Sequence, residues 1–400
     1  MTVWLTLAHE MSVQAPLAAA ILGAVLAAGM TFALSMVVAG ACTRLGVLDR
    51  PEPRRVHRYP VPRLGGIAIF LSFALISLLF FVPASGYELR VYIGLMAAAI
   101  IIVAVMAADD IWGLPPLLRL GVQIGAALVA MFPGGHGTLI EVLHNPLINA
   151  NGGRTFLPLA IAIPFTLFWI VGMMNTVNWM DGLDGLAGGI VAITALVMAA
   201  ISWILGEHSV AILCAVLAGT TIGFLPLNWH PARIFMGDSG AMFLGLALAV
   251  LANVGGAKLA MMLMLLGVPI LDAARVILRR IRSGHSPLRF DRTHMHHGLL
   301  ARGLTQRQIA LLFYVITATF GAITILSAYL QIHAADWHVR SHLLPWLDVA
   351  LSELPTLLGL ASVLLVAIGV WQLAAVRKKR RITRPLTPQP ATSSGTHRRP

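Results

Sequence analysis

Residues 91–110 read VYIGLMAAAIIIVAVMAADD: eighteen positions without a charge running into two adjacent aspartates. A helix rises about 1.5 Å per residue, so a run of this kind is on the scale of the ~30 Å hydrocarbon layer of a bilayer. The pattern repeats along the 400 residues. Composition agrees: 58% of the chain is hydrophobic and 11% charged, with a mean hydropathy of +0.84, where a soluble domain carries about 25% charged residues. The fold class this predicts is an all-α polytopic membrane protein. We count eleven transmembrane helices, beginning near Pro16, Gly65, Val91, Leu117, Phe156, Leu186, Ser209, Ala241, Ala257, Gln308 and Pro355. The first run, from Pro16 to Val38, is too long for a cleaved signal peptide and reads as a retained span. Cys42 and Cys214 lie in or beside such runs and read as free thiols.

Basic residues decide the orientation, because Lys and Arg stay on the cytoplasmic side. When the loops are grouped alternately, one side holds only Arg90, Arg154, Lys258 and Arg340 of the 28 basic residues, leaving 24 on the other. The crowded side is the cytoplasm, which puts the N-terminus in the periplasm and the C-terminus in the cytoplasm of a bacterial inner membrane. The same asymmetry accounts for most of the net charge of +12, and no aromatic-basic platform for nucleic acid accompanies it. Residues 1–380 read as one integral membrane domain. Residues 381–400 read as a disordered basic tail, with Arg377-Lys378-Lys379-Arg380-Arg381 set to meet anionic headgroups.

Polar residues are costly in such a chain, and four segments hold more of them than a span boundary needs. Asp109-Asp110 place two mutually repelling carboxylates at a helix end, where a solvated stop signal and a site are both open readings. Arg119, one to two turns into the next helix, is placed to meet a phosphate beside them. Asn178, Asp181 and Asp184 are spaced by three, which a helical turn would gather on one side. Gly182, Gly185, Gly188 and Gly189 among and after them permit close approach of an anion. Asp238-Ser239 open the eighth span, where an N-cap and a metal-binding carboxylate are compatible uses. The longest cytoplasmic loop, residues 279–297, carries five arginines with His294, His296 and His297 and reads as a grip for polyphosphate. Zinc would want a closed set of N and S ligands, and both cysteines lie elsewhere.

At these residues, from about Arg44 to Ala328, the sequence resembles the polyprenyl-phosphate N-acetylhexosamine-1-phosphate transferases. The pieces are Pro62-Arg63-Leu64-Gly65-Gly66 with the Asp49-Arg50-Pro51 stretch before it, the Asp109-Asp110 pair, Asn178-x-x-Asp181-Gly-x-Asp184-Gly, Gly237-Asp238-Ser239, and Asp291-Arg292-x-His294-x-His296-His297. The resemblance implies a Mg²⁺-dependent enzyme, with Mn²⁺ a substitute. It would move GlcNAc-1-phosphate from a UDP-sugar to undecaprenyl phosphate and release UMP, the priming step of a surface polysaccharide such as O-antigen. It further implies Asn178 and Asp238 as metal ligands, and Asp109, Asp110 and Asp181 as the catalytic set, the first two facing the lipid phosphate. Asp184 would meet the uracil, with Arg119, Arg292, His294, His296 and His297 binding substrate phosphates. Met295 interrupts the three consecutive histidines typical of the branch that takes UDP-MurNAc-pentapeptide, which argues against that branch. Membrane lipid is a further partner, and a homodimer is compatible with the sequence. The contrasting class, a secondary transporter, predicts charges at mid-span. Asp272 alone approaches that pattern, near the inner end of the ninth span.

Overall fold

The computed structural model describes residues 2–50, 59–133, 139–144, 154–254, 258–284, 294–338, 359, 361–369 and 371–372. Its helices in chain order are α1 (Thr2–Gln14), α2 (Pro16–Leu45), α3 (Gly65–Phe80), α4 (Gly86–Trp112), α5 (Pro116–Met131), α6 (Leu159–Met180), α7 (Leu186–Ile204) and α8 (His208–Asn228). They continue with α9 (Gly237–Asn253), α10 (Lys258–Leu265), α11 (Gly267–Arg282), α12 (Met295–Leu300) and α13 (Gln306–His338). Two short antiparallel pairs join them: β1 (Leu48–Asp49) with β2 (Val61–Pro62), and β3 (Val142–His144) with β4 (Arg154–Phe156). Among the described residues six helices are long and apolar enough to cross a membrane: α2, α4, α6, α7, α8 and α13. Three more, α3, α5 and α9, are apolar but shorter.

Two details differ from the sequence reading. The span expected from Ala257 is two helices, α10 and α11, with Leu266 between them. Gly267 and Pro269 sit in the first turn of the second helix, where a missing N–H costs least. The N-terminal α1 was not expected. The start of the eleventh expected span, near Pro355, lies outside the described residues, although residues 361–369 are helical. The tail 381–400 also lies outside them.

Helix α9 is the axis of the molecule. Every residue from Ser239 to Asn253 is buried, packed among α3, α4 and α6, so it is apolar all round rather than striped. Beside it α8 packs on α2 and α7. A Cβ on Gly219 or Gly223 would lie 2.1 Å from the carbonyl oxygen of Ala24 or Ala28. The Gly-x-x-x-Gly spacing on α8 therefore sets how closely the two backbones approach. The far face of α2 exposes Ile21, Val25 and Val37, side chains suited to lipid.

Backbone pairing ties the chain before α3 to the chain before α9. Phe235 N–H donates to Pro62 O (2.8 Å), Gly65 N–H to Phe235 O (3.0 Å) and Gly66 N–H to Met236 O (2.8 Å). This brings the C-terminal ends of α4, α6 and α8 and the N-terminal ends of α3, α5, α7, α9 and α13 to one end of the bundle.

Candidate active site

Asp238, in the first turn of α9, is the centre of that end. Arg119 Nη2 donates to its Oδ2 and Asn178 Nδ2 donates to its Oδ1 at 2.9 Å. Arg63 Nη2 stands 3.9 Å from the same Oδ1. Arg119 also reaches Asp109, Nε to Oδ2 at 3.2 Å, so one guanidinium bridges carboxylates from α4 and α9 in the fork geometry that arginine provides. Arg119 lies in the first turn of α5, closer to the helix start than the sequence reading placed it. Asp109 Oδ1 accepts the Leu114 N–H, which fixes the α4–α5 turn.

Asp110 does different work from its neighbour. Its carboxylate accepts the N–H of Asp238 (2.9 Å), the N–H of Ser239 (3.2 Å) and the Ser239 hydroxyl (2.9 Å), and Arg63 Nε lies 3.2 Å away. It caps the N-terminus of α9 from another helix, where a negative charge also meets the positive end of the helix dipole. The expectation that Asp238 or Ser239 caps its own helix is corrected: Asp110 satisfies those amides and leaves the Asp238 carboxylate turned toward Asn178 and the arginines. Gly237 permits this approach, with φ +73° and an added Cβ only 2.4 Å from Asp110 Oδ2.

The loop after α6 is also not the continued turn that the spacing of three suggested. Helix α6 ends at Met180, Asp181 is its C-cap, and residues 181–185 turn sharply through Gly185 at φ +76°. Asn178 and Asp181 stay on the Asp238 side. Burial, and then the charges of Asp238, Asp110 and Asp184, push the Asp181 carboxyl well above the usual carboxylate range. Part of its surface remains reachable. Asp184 instead faces the loop before α9, with Oδ2 2.6 Å from His230 Nδ1 and accepting the Ala232 N–H at 3.2 Å. Its backbone N–H donates to Gln306 Oε1 (3.1 Å) and Arg307 Nε donates to His230 O (2.9 Å), which ties in the start of α13.

The histidines enter from the other flank. His294 Nδ1 lies 2.9 Å from Asp272 Oδ2 on α11, and Asp272 also accepts the Met295 N–H and Arg275 Nη2. The His294 ring lies parallel to His296 at 5.7 Å and near Trp179 at 5.9 Å, and His296 touches His297 at 4.4 Å. His296 is buried against Gly182, and its Nε2 has no hydrogen-bond partner among the described residues. Burial, with His297 and His294 beside it, pushes its pKa down to about 3. It is a neutral imidazole at physiological pH, while Arg63 and Arg119 bring positive charge to Asp109, Asp110 and Asp238. A cavity of about 20 Å³ between Trp179, Asp272, His294 and His296 has room for little more than a water. A nucleotide sugar would have to bind outside this cavity.

The structure thus joins Asp109, Asp110, Arg119, Asn178, Asp181 and Asp238, and sets Asp184 and the histidines on its two sides. Arg292 and Asp291 lie outside the described residues. Arg63, His230 and Asp272 are contacts to which the sequence reading gave no role. For Arg63 a signal was present, since it sits in the Pro62-Arg63-Leu64-Gly65-Gly66 piece of the resemblance.

The donor set suits a hard divalent cation. Among the described residues no three His, Cys, Asp or Glu groups form a closed metal cage, and Mg²⁺ characteristically takes only one or two protein oxygens. Asp109, Asp110, Asp181 and Asp238 face Arg63 and Arg119. Four carboxylates against two guanidiniums leave two negative charges when all ionise, which one divalent cation would balance.

The chain is similar to known proteins along most of its length. Residues 92–256 match the family described as Glycosyl transferase family 4. The chain is 32% identical over 311 residues to a probable undecaprenyl-phosphate N-acetylglucosaminyl 1-phosphate transferase of Bacillus subtilis (strain 168), covering 76% of this chain and 82% of that protein. It is 35% identical over 301 residues to the decaprenyl-phosphate N-acetylglucosaminephosphotransferase of Mycolicibacterium smegmatis, covering 68% and 73%. It is 26% identical over 300 residues to the undecaprenyl-phosphate alpha-N-acetylglucosaminyl 1-phosphate transferase of Escherichia coli K12, covering 72% and 78%.

Proposed function

The chain belongs to glycosyl transferase family 4, and from that premise we infer that it transfers GlcNAc-1-phosphate to a polyprenyl phosphate in a membrane. The observation that carries this reading is the convergence of Asp109, Arg119, Asn178 and Asp238 at one end of an apolar bundle. The donor is a UDP-sugar and the acceptor undecaprenyl phosphate, with the reacting end facing the cytoplasm of a bacterial inner membrane, as the Arg and Lys distribution supports. A phosphate oxygen of the lipid attacks the β-phosphorus of the donor, the phosphoanhydride bond breaks, and UMP leaves. The anomeric C–O bond is untouched, so configuration is retained.

Phosphoryl transfer needs alignment and charge neutralisation more than covalent help. Mg²⁺ bound by Asp238 and Asn178 would supply part of that neutralisation at the diphosphate. Asn178 turns its amide nitrogen to Asp238, so ligation through its oxygen requires the amide to rotate. Arg119 and Arg63 supply fixed positive charge beside the phosphates. Asp109 holds Arg119 and need not be a strong base, because a phosphate monoester with a second pKa near 6 is already largely dianionic at pH 7. Asp110 holds the start of α9 and with it Asp238. Asp181 stays on the Asp238 side, Asp184 with His230 flanks the place for the base, and the neutral His296 grips by an N–H rather than by charge.

The test is transfer by the purified protein in lipid nanodiscs from a panel of radiolabelled UDP-HexNAc donors onto undecaprenyl phosphate. The expected result is UMP release that depends on the lipid, with UDP-GlcNAc preferred. A protein that releases no UMP with any donor, or consumes a CDP-alcohol instead, overturns the reading.

A further inference from the structure

Both oxygens of the Asp238 carboxylate are engaged by donors of the protein itself, Oδ1 by Asn178 Nδ2 at 2.9 Å and Oδ2 by Arg119 Nη2. A divalent cation that takes the direction held by Arg119 on Oδ2 must compete with that guanidinium. Arg119 is the donor built to move. Its Nε remains on Asp109 at 3.2 Å, so the guanidinium can turn its Nη end away from Asp238 without leaving the site. The side chain is 29% exposed, so it is not locked by packing on every side. Asn178 stays in place on the last turn of α6 and turns only its amide, which brings its own oxygen to the metal.

We propose that Arg119 holds the cation position on Asp238 until metal arrives and is then handed to the phosphate of the incoming substrate, pivoting on Asp109. This rests on the reading of Asp238 as a metal ligand. Charge explains why Arg119 rests on Asp238 without metal and leaves it once metal is bound. Without a cation, Asp238 would stand beside Asp109 and Asp110 with too little positive charge. With the cation in place, an arginine pressed against it is repelled, and a phosphate dianion offers it a fresh bidentate partner. Metal binding and exposure of the anion-binding guanidinium thereby become one event, which favours metal loading before catalysis. Asp109 acts in this step as a positioning residue.

The consequence is unusual for a residue of the reaction site, because removing it should tighten metal binding while abolishing turnover. Full-length protein in nanodiscs, stripped of divalent ions, is titrated with Mn²⁺ and free Mn²⁺ read by electron paramagnetic resonance. Arg119→Gln should bind Mn²⁺ about fivefold more tightly than wild type, the scale of a partly exposed ion pair, and lose most of its transfer activity. Arg119→Lys keeps a cation but cannot hold two carboxylates as a fork, so it should also tighten binding, by less. It carries the test if the glutamine variant does not fold. Unchanged or weaker Mn²⁺ binding in the folded Arg119 variants overturns the hand-over. Asp238→Asn separates the two readings. Loss of Mn²⁺ binding there keeps the metal assignment whatever the Arg119 result, whereas binding at wild-type strength removes the assignment itself.

Discussion

At the scale of single residues, the two adjacent aspartates are not equivalent, and substitution should separate them. An amide at position 110 offers one acceptor oxygen to the donors of Asp238, Ser239 and Arg63 and brings two hydrogens of its own. Asp110→Asn should lower stability by about 1–3 kcal/mol, the cost of leaving buried donors unsatisfied, and should raise amide exchange at Asp238 and Ser239. Asp109→Asn should leave those two amides protected and lower turnover. Thermal unfolding and hydrogen exchange in nanodiscs check both. His296 gives a second outcome. Its pKa falls from 6.5 to about 3 in the folded state, so the folded protein resists the proton that the unfolded chain accepts. Its contribution to stability is present above pH 6.5 and is lost as pH falls toward 3. Amides of α12 should lose protection across that window, and His296→Asn should flatten the loss. The acidic residues of the site were legible in the sequence because carboxylates in an apolar chain stand out. Their partners were not. Arg63 and Arg119 are two of many arginines in the chain, and only the packing of α3, α5 and α9 shows which carboxylate each one meets.

Among the helices, close approach depends on small residues at the crossing points. A valine at Gly223 puts its Cβ 2.1 Å from the backbone oxygen of Ala28, and backbone cannot turn aside as a side chain can. Gly223→Val should destabilise the protein by about 1–3 kcal/mol. Gly29 on α2 has nothing within 4 Å of its Cβ position, so Gly29→Ala should be neutral or should stabilise by up to about 1 kcal/mol. Thermal unfolding of the pair side by side checks the argument, and equal losses would sink it. The existence of most helices was readable from hydropathy, since a run of 18 or more apolar residues has few alternatives. The break between α10 and α11 was not, because Leu265-Leu266-Gly267-Val268-Pro269 is apolar throughout and an average over hydropathy does not register where a helix stops. The cap of α9 by Asp110 was hidden for a related reason: local spacing reports caps within one segment and is blind to a cap supplied from 128 residues away.

For the whole molecule, the sided distribution of Arg and Lys predicts which end faces the cytoplasm. Ala84 lies at the end of the bundle away from Asp238, before α4, and Ser283 follows α11 at the site end; both are exposed. The native thiols are buried, Cys42 at 3% and Cys214 at 1% exposure, so labelling background should be low. In intact cells a membrane-impermeant maleimide should label Ala84→Cys and spare Ser283→Cys until the membrane is opened. The reverse pattern would invert the topology.

The pairing of Pro62, Gly65 and Gly66 with Phe235 and Met236 also sets an order on synthesis. Partners 170 residues apart cannot meet until eight helices have left the ribosome, and contacts of such separation form late. Arg63 precedes Asp110 in the chain, and both Asp109 and Arg119 precede Asp238. As the chain emerges, Asp110 enters after one guanidinium is already present, and Asp109 is followed within ten residues by another. The last carboxylate, Asp238, arrives to two guanidiniums and the amide of Asn178. A nascent chain stopped before Phe235 would hold Asp109, Asp110 and Asp181 against Arg63 and Arg119 but would lack Asp238, so a truncated product would carry most of the site's charge without its centre.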